Sequence, residues 1–122
     1  MLEALIEADK RNIQHRYHSE LAYILRDLGE PAQSLRRFAI AIDIRNRCAK
    51  SGWKSYELER AKAQIRLDSA AGPSAPDLKE AVTKDLRAAW SDPKLQERIR
   101  KPEIIDWLNK NSMTIEAQIS NP

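Results

Sequence analysis

Two histidines form the closest approach to a metal-ligand pattern in this sequence. His15 and His18 are three residues apart, so in a helix they would share a face, and a pair of imidazoles at this spacing can bind a metal. A zinc site needs at least a third protein ligand. Only Glu7 and Glu20 lie nearby, and neither an HExxH motif nor a second histidine cluster occurs. We therefore expect no metal site.

The remaining residues that could carry out chemistry are isolated ones. Glu103 and Asp106 could present paired carboxylates on a helix, but such pairs are common on solvated helix faces. Cys48 has no nearby histidine to activate its thiol. Neither a glycine-rich phosphate loop nor a GxSxG motif is present. We expect no enzymatic activity and no cofactor, and the single cysteine fits a reducing, cytoplasmic compartment.

Composition predicts an all-α protein with a modest core. The chain has 122 residues with three glycines and one valine, and it is rich in Ala, Leu, Arg, Lys and Glu, which favour helices over strands. No apolar run approaches the roughly 18 residues that a membrane span needs, and no charged-then-apolar leader is seen. We expect neither a membrane contact nor export.

The chain is organised around a predicted helical hairpin over residues 17–47. Apolar residues of the first helix recur at three- and four-residue steps: Leu21, Ile24, Leu25 and Leu28. Gly29 suits the position just past a helix end, and Pro31 suits the first turn of the next helix. The second helix has the same spacing in Leu35, Phe38 and Ile42, with the small Ala39 and Ala41. The short connection makes the helices antiparallel, and we expect the two stripes to face each other.

This hairpin resembles a tetratricopeptide repeat (TPR), a unit of about 34 residues with two antiparallel helices. The resemblance covers residues 15–48. Leu21 and Phe38 match the family pattern, Ala22 replaces a close-packing Gly, Leu25 replaces an aromatic residue and Ser34 replaces Ala. The Leu28-Gly29 turn, Leu35, Ala41 and Ile42 also stand where the family expects them. Two positions depart from the family pattern: His18 replaces the usual Trp, and Asn46 replaces the usual Pro. We expect His18 to pack in the place of that Trp.

The resemblance implies a TPR-like right-handed α-solenoid fragment and a protein-interaction scaffold. TPR proteins typically bind a peptide or helical segment along the concave face made by their first helices. The positions of that helix expected to be exposed here are Arg16, Ser19, Tyr23 and Arg26. Two guanidinium groups suit an acidic segment or a C-terminal carboxylate, because Arg can hold a carboxylate bidentately. The Lys and Asn pattern of chaperone-binding TPR domains is absent.

A second hypothesis is that the basic second helix binds nucleic acid or another polyanion as part of a regulator. Its candidate residues are Arg36, Arg37, Arg45 and Arg47. The net charge of +3 is too small to indicate nucleic acid by itself, and aromatic residues are scarce along the basic run. The alternative is that these arginines are ordinary solvated residues, and that the positive charges near the C-terminus of the helix stabilise the helix dipole. Self-association is a third alternative, since an unfinished repeat leaves a face that a second copy can cover.

The rest of the chain is predicted to extend and cap the hairpin. No helix breaker separates the N-terminal residues from the hairpin, so one long helix is expected to reach Leu28. A third helix is predicted at about residues 54–69, with Trp53 closing the end of the core. The Ala70–Ser74 stretch is the clearest break, so we divide the chain into regions 1–70 and 74–122. The second region holds a helix that Ser74 is expected to cap, two shorter helices and a tail, and it packs as a cap or a degenerate repeat.

Overall fold

The computed structural model describes residues 2–47, 54–68 and 70–120, with side chains from residue 14 onwards, and those residues form helices and no strand. The helices are α1 (Leu2–Asp27), α2 (Pro31–Arg47), α3 (Ser55–Leu67), α4 (Pro76–Trp90), α5 (Gln96–Ile99) and α6 (Pro102–Lys110). A 3-10 turn (Pro93–Leu95) precedes α5, and a π-helical turn (Ile115–Ile119) follows α6. The all-α prediction is therefore confirmed, whereas Cys48 and Trp53, which was expected to close the end of the core, fall outside the described residues. No described helix is long and apolar enough to cross a membrane.

The predicted turn between the first two helices is present in detail. Gly29 has φ of 79°, a conformation that favours glycine, and it ends α1. The amide of Glu30 donates to the Leu25 carbonyl at 2.8 Å, and the amide of Gly29 donates to the Arg26 carbonyl at 3.0 Å. These two bonds form a Schellman motif, which satisfies carbonyls at the helix end. The single long helix predicted before this turn is also confirmed.

Small residues allow α1 and α2 to pack closely. Ala22 of α1 and Ser34, Phe38 and Ala41 of α2 are completely buried. The Ser34 hydroxyl donates to the Ala22 carbonyl at 2.7 Å, so a side chain of one helix touches the backbone of the other. A larger residue at either position would separate the two helices, which explains why the hairpin uses Ala and Ser here.

The predicted inner stripe of α1 is wrong in part. Ile24 and Leu28 are 54% and 72% exposed, while Leu21 and Leu25 are only half-buried. The buried face of α1 instead carries His15, Ser19 and Ala22. Ile24 follows Ala22 by two residues, which is about 200° around the helix, so it points away from α2. The large apolar residues of α1 were therefore assigned to the wrong side of the helix.

Each of the first four helices packs against the next one along the chain, so α3 lies between α2 and α4. Tyr56 of α3 joins Ala41 and Ile42 of α2 in a small apolar cluster. The larger cluster contains Leu58 and Ala61 of α3 and runs through α4 to the C-terminal π-helical turn. The buried residues that the short helices and the tail contribute are Leu95, Ile99, Ile104, Trp107, Leu108, Met113, Ile115 and Ile119.

Ser74 does not cap α4 as its position predicts. The helix begins after Ala75 without a side-chain cap. The Ser74 hydroxyl instead donates to Asp68, and its amide donates to the Asn111 side-chain oxygen at 2.8 Å. Ser74 therefore ties the connection after α3 to the end of α6. Asp92 caps the 3-10 turn that precedes α5, because its carboxylate accepts the Lys94 amide at 3.0 Å.

Candidate interaction surfaces

The four residues predicted to form a partner-binding face do not lie on one open surface. Arg16 is exposed, Tyr23 and Arg26 are half-buried, and Ser19 is only 4% exposed. The Ser19 hydroxyl donates to the Arg16 carbonyl at 2.8 Å within the same helix. The expected exposure of Ser19 is therefore wrong, because this residue lies on the side of α1 that packs into the protein.

Arg26 is held by an ion-pair network inside the chain. Its guanidinium pairs with Glu59 of α3, whose side chain is 2% exposed, and lies 5.1 Å from the centre of the Tyr23 ring. Arg98 also donates to Glu59, at 2.7 Å, and Lys62 lies 3.5 Å from it. Burial raises the pKa of the Tyr23 hydroxyl, and the negative charge of Glu59 adds to the effect. Arg26 thus neutralises an internal carboxylate, which reduces its capacity to bind the carboxylate of a partner.

Arg45 is also an internal residue. It is 1% exposed and donates to both oxygens of Glu57, at 2.5 and 2.7 Å. Its guanidinium lies 6.0 Å from the centre of the Tyr56 ring. The Tyr56 hydroxyl lies 3.0 Å from Nδ1 of His15, which is fully buried. Arg45 is therefore a cation that joins α2 to α3, and its prediction as part of a polyanion-binding surface is wrong.

The other three arginines of the predicted polyanion patch have different surroundings. Arg37 lies 3.1 Å from Nδ1 of His18. Arg47 is exposed and pairs with Asp43 at 2.9 Å, one helical turn earlier. Arg36 is exposed and lies on the wall of a groove described below. The structure does not bring the four guanidinium groups together in one basic surface.

The two histidines have separate partners, and their roles differ from those expected. His15, rather than His18, is the buried histidine of α1, since His18 is only half-buried. Burial, followed by the positive charge of Arg37, lowers the pKa of His18 below 6.5. Within the part of the chain that the structure describes, no three His, Cys, Asp or Glu side chains are grouped to hold a metal ion.

An exposed apolar strip runs along α1, and we call it the outer face of α1. It consists of Tyr17, Leu21, Ile24 and Leu28. Tyr17, Ile24 and Leu28 are each more than half exposed. Its spacing of four, three and four residues is that of a seam between two packed helices. The signal for this strip was present in the sequence, but the periodicity does not show which side of the helix the rest of the chain covers.

The acidic residues Glu20 and Asp27 flank this strip on one side, and both are exposed. Asp27 lies 3.5 Å from Arg26, whose charge is shared with Glu59. This side of the outer face therefore carries two carboxylates, with the exposed guanidinium of Arg16 one turn before Glu20.

A groove of about 490 Å³ lies above α3 and between α2 and α4, and we call it the α2–α4 groove. Its walls are Leu35, Arg36 and Ala39 of α2 and Ala81 and Lys84 of α4, and its floor is Arg60, Gln64 and Asp85. A second groove, between α4 and the tail, is lined by Lys79, Thr83, Arg87 and Met113, among others. Neither groove is predictable from local sequence patterns, because each is formed by residues from separate elements.

A closed set of hydrogen bonds forms the floor of the α2–α4 groove. Asp85 is buried and accepts two bonds from Arg60, at 2.8 and 2.7 Å, and one from Gln64, at 2.9 Å. The hydrogen bonds to Asp85 raise the pKa of Arg60 above its ordinary value. The charges of Arg60 and Asp85 cancel each other, so the net charge of the groove comes from Arg36 and Lys84.

Comparison with known proteins gives no relative: no family model matches the chain, and no curated protein or solved structure matches it significantly. Function is therefore inferred from the surfaces themselves.

Proposed function

We propose that this chain is a protein-interaction scaffold that binds an amphipathic helix of a partner protein along the outer face of α1. The observation that supports the proposal is the exposure of Tyr17, Ile24 and Leu28 on the side of α1 opposite its buried face. Large apolar residues grouped on one exposed face mark interaction sites more often than single ones do. A partner helix with the same apolar spacing would bury this strip.

The charges beside the strip indicate the chemistry of the partner helix. Glu20 and Asp27 favour a partner with Lys or Arg next to its apolar seam. Self-association is the alternative. In an antiparallel pairing of two copies centred between Leu21 and Ile24, Glu20 and Arg16 of one copy would both lie near Asp27 of the other, and the first would repel it while the second would attract it. These charges therefore do not select a second copy, and the partner that we propose is a basic amphipathic helix of a different protein.

The packing of the hairpin supports a TPR-like origin for this scaffold. Ala22, Ser34, Phe38 and Ala41 are all buried between α1 and α2, where the resemblance expects packing residues. Each helix from α1 to α4 packs on its neighbour in the chain, as the helices of a solenoid do. A partner helix on the outer face of α1 would continue this stacking in the N-terminal direction. In this proposal the C-terminal helices cap the opposite end.

The proposal is tested by selecting partners for the full chain from a library of helical peptides about five turns long. We expect enrichment of peptides with apolar residues at four- and three-residue steps and Lys or Arg beside them. Ile24→Ser combined with Leu28→Ser should lower the affinity for such peptides by about a hundredfold, because about 3 kcal/mol of apolar burial is lost. Both residues are exposed, so the fold should be unchanged in circular dichroism.

The matched control is Ile40→Ser, which removes a partly exposed apolar residue from α2 instead. It should leave peptide affinity unchanged. Equal weakening by the control, or selection of peptides without an apolar seam, would show that the outer face of α1 is not the binding site. Peptides with acidic flanks that bind as tightly as basic ones would contradict the assigned chemistry of the partner.

A further inference from the structure

The α2–α4 groove combines apolar walls with two exposed cations. The walls expose Ala39 on α2 and Ala81 on α4, and Leu35 is half-buried at the edge. Because alanine side chains are short, they leave space above α3 that larger residues would fill. The groove therefore offers apolar surface on both sides.

The cations of this groove are Arg36 on one wall and Lys84 on the other, and both are exposed. Among the residues that the structure describes, neither has an ion-pair partner. The one carboxylate of the lining, Asp85, is already neutralised by Arg60 and accepts a further hydrogen bond from Gln64. Among the described residues that line the groove, an acidic ligand would therefore meet two positive charges outside any ion pair and no unpaired carboxylate.

The size of the groove limits what it can hold. A volume of about 490 Å³ lies in the range of about 300–1,000 Å³ typical of sites for small ligands. This accommodates a few residues of an extended chain and not a folded domain. A ligand that used only phosphate charges would leave the alanine walls uncovered, whereas a peptide can cover them with its own apolar side chains.

We propose that the α2–α4 groove binds a short acidic segment of a protein. Carboxylates of the segment pair with Arg36 and Lys84, and an apolar residue between them lies against Ala39 and Ala81. This site is separate from the outer face of α1, which belongs to a different side of the hairpin. One chain can then engage a helix and an acidic peptide at the same time.

The test uses the full chain and a library of random seven-residue peptides, with affinities of the selected peptides measured by fluorescence anisotropy. We expect enrichment of two acidic residues separated by apolar ones. Arg36→Glu and Lys84→Glu should each lower affinity about tenfold, since each replaces a charge-assisted contact with repulsion. Ala81→Trp, which adds no charge, should block the same peptides by filling the groove.

Two controls distinguish this site from a general effect of charge and from the outer face of α1. Lys84 lines both grooves, whereas Lys79 lines only the second one. Lys79→Glu makes the same charge change on α4 outside the α2–α4 groove, so affinity should stay within about twofold of wild type. The Ile24→Ser, Leu28→Ser variant should bind the acidic peptides normally. The proposal is overturned if Lys79→Glu weakens binding as much as Lys84→Glu, or if Ala81→Trp leaves affinity unchanged. Equal competition by a single-stranded oligonucleotide of the same charge would overturn it in favour of general polyanion binding.

Discussion

Arg45 and Glu57 form a bidentate ion pair in the interior, with nitrogen–oxygen distances of 2.5 and 2.7 Å. The side chains are 1% and 7% exposed, respectively, and Tyr56 lies beside the guanidinium. Removing two charges from water costs free energy that their attraction offsets only in favourable geometry. The pair therefore fixes how α2 and α3 are aligned more than it adds to net stability.

We expect Glu57→Gln to lower the free energy of unfolding by roughly 3–5 kcal/mol, because it leaves the Arg45 charge buried without its counter-ion. Urea unfolding measures the loss. Replacing both residues, with Arg45→Met and Glu57→Leu, should recover most of it, since no charge is then buried.

The control is Asp43→Asn, which breaks the exposed pair with Arg47 and should cost less than about 1 kcal/mol. If Glu57→Gln costs no more than this control, Arg45 is not confined to the interior.

The burial of Arg45 shows where prediction from sequence reaches its limit. Helix positions could be predicted, because Gly29, Pro31 and the periodic leucines act locally. The position of Arg45 in a basic run near the C-terminus of α2 predicts a solvated charge that suits the helix dipole. Its partner Glu57 lies in the next helix, and nothing local to Arg45 reveals that contact.

The same limit explains the error over Ile24 and Leu28. Their spacing identifies one apolar side of α1, and a hairpin could in principle bury that side. Small residues at 19 and 22 lie on another side and allow closer approach to α2, where Ser34 bonds to the Ala22 backbone. Close packing decided which side is buried, and hydrophobicity alone does not report how closely two backbones can approach.

Phe38→Ala should lower the free energy of unfolding by roughly 3–5 kcal/mol, as expected for truncating a buried aromatic side chain. Phe38 is completely buried, and its ring meets that of Tyr23 edge-on at 5.3 Å between centroids. Denaturant unfolding gives the value. Ile40→Ala, on the same helix but partly exposed, should cost much less. A Phe38→Ala loss below about 1 kcal/mol would mean that the α1–α2 interface is wrongly assigned.

Arg37→Gln should raise the pKa of His18 towards its ordinary value of 6.5. Arg37 can only donate hydrogen bonds, so Nδ1 of His18 must accept, which requires the neutral imidazole. Burial makes the larger contribution to the lowered pKa and remains in the variant, so we expect partial recovery. NMR titration of the imidazole protons measures the shift. Arg36→Gln, which changes the neighbouring arginine, should leave the titration unchanged; an equal shift would exclude a specific contact.

Asp68 connects the segment after α3 to α6 and should make stability depend on pH in the acid range. It accepts a hydrogen bond from the Ser74 hydroxyl, one from Trp107 Nε1 at 3.1 Å and one from the Ala70 amide at 3.1 Å, and it pairs with Lys110 at 3.0 Å. The Ser74 bond is the main cause of a pKa far below the ordinary 3.8, and the Lys110, Ala70 and Trp107 contacts lower it further against the opposing effect of burial.

A carboxyl whose pKa is lower in the folded than in the unfolded chain stabilises the fold above the unfolded pKa. That contribution decreases as the pH falls from about 4 towards the folded pKa. We therefore expect Asp68→Asn to be less stable than wild type near neutral pH, with a difference that narrows as the pH falls below about 4. Urea unfolding at a series of pH values measures this difference.

The control is Asp77→Asn, which replaces an exposed residue in the first turn of α4. Its free energy of unfolding relative to wild type should change little with pH. If the difference in free energy of unfolding between wild type and Asp68→Asn stays constant across the acid range, the fold does not stabilise the ionised form of Asp68.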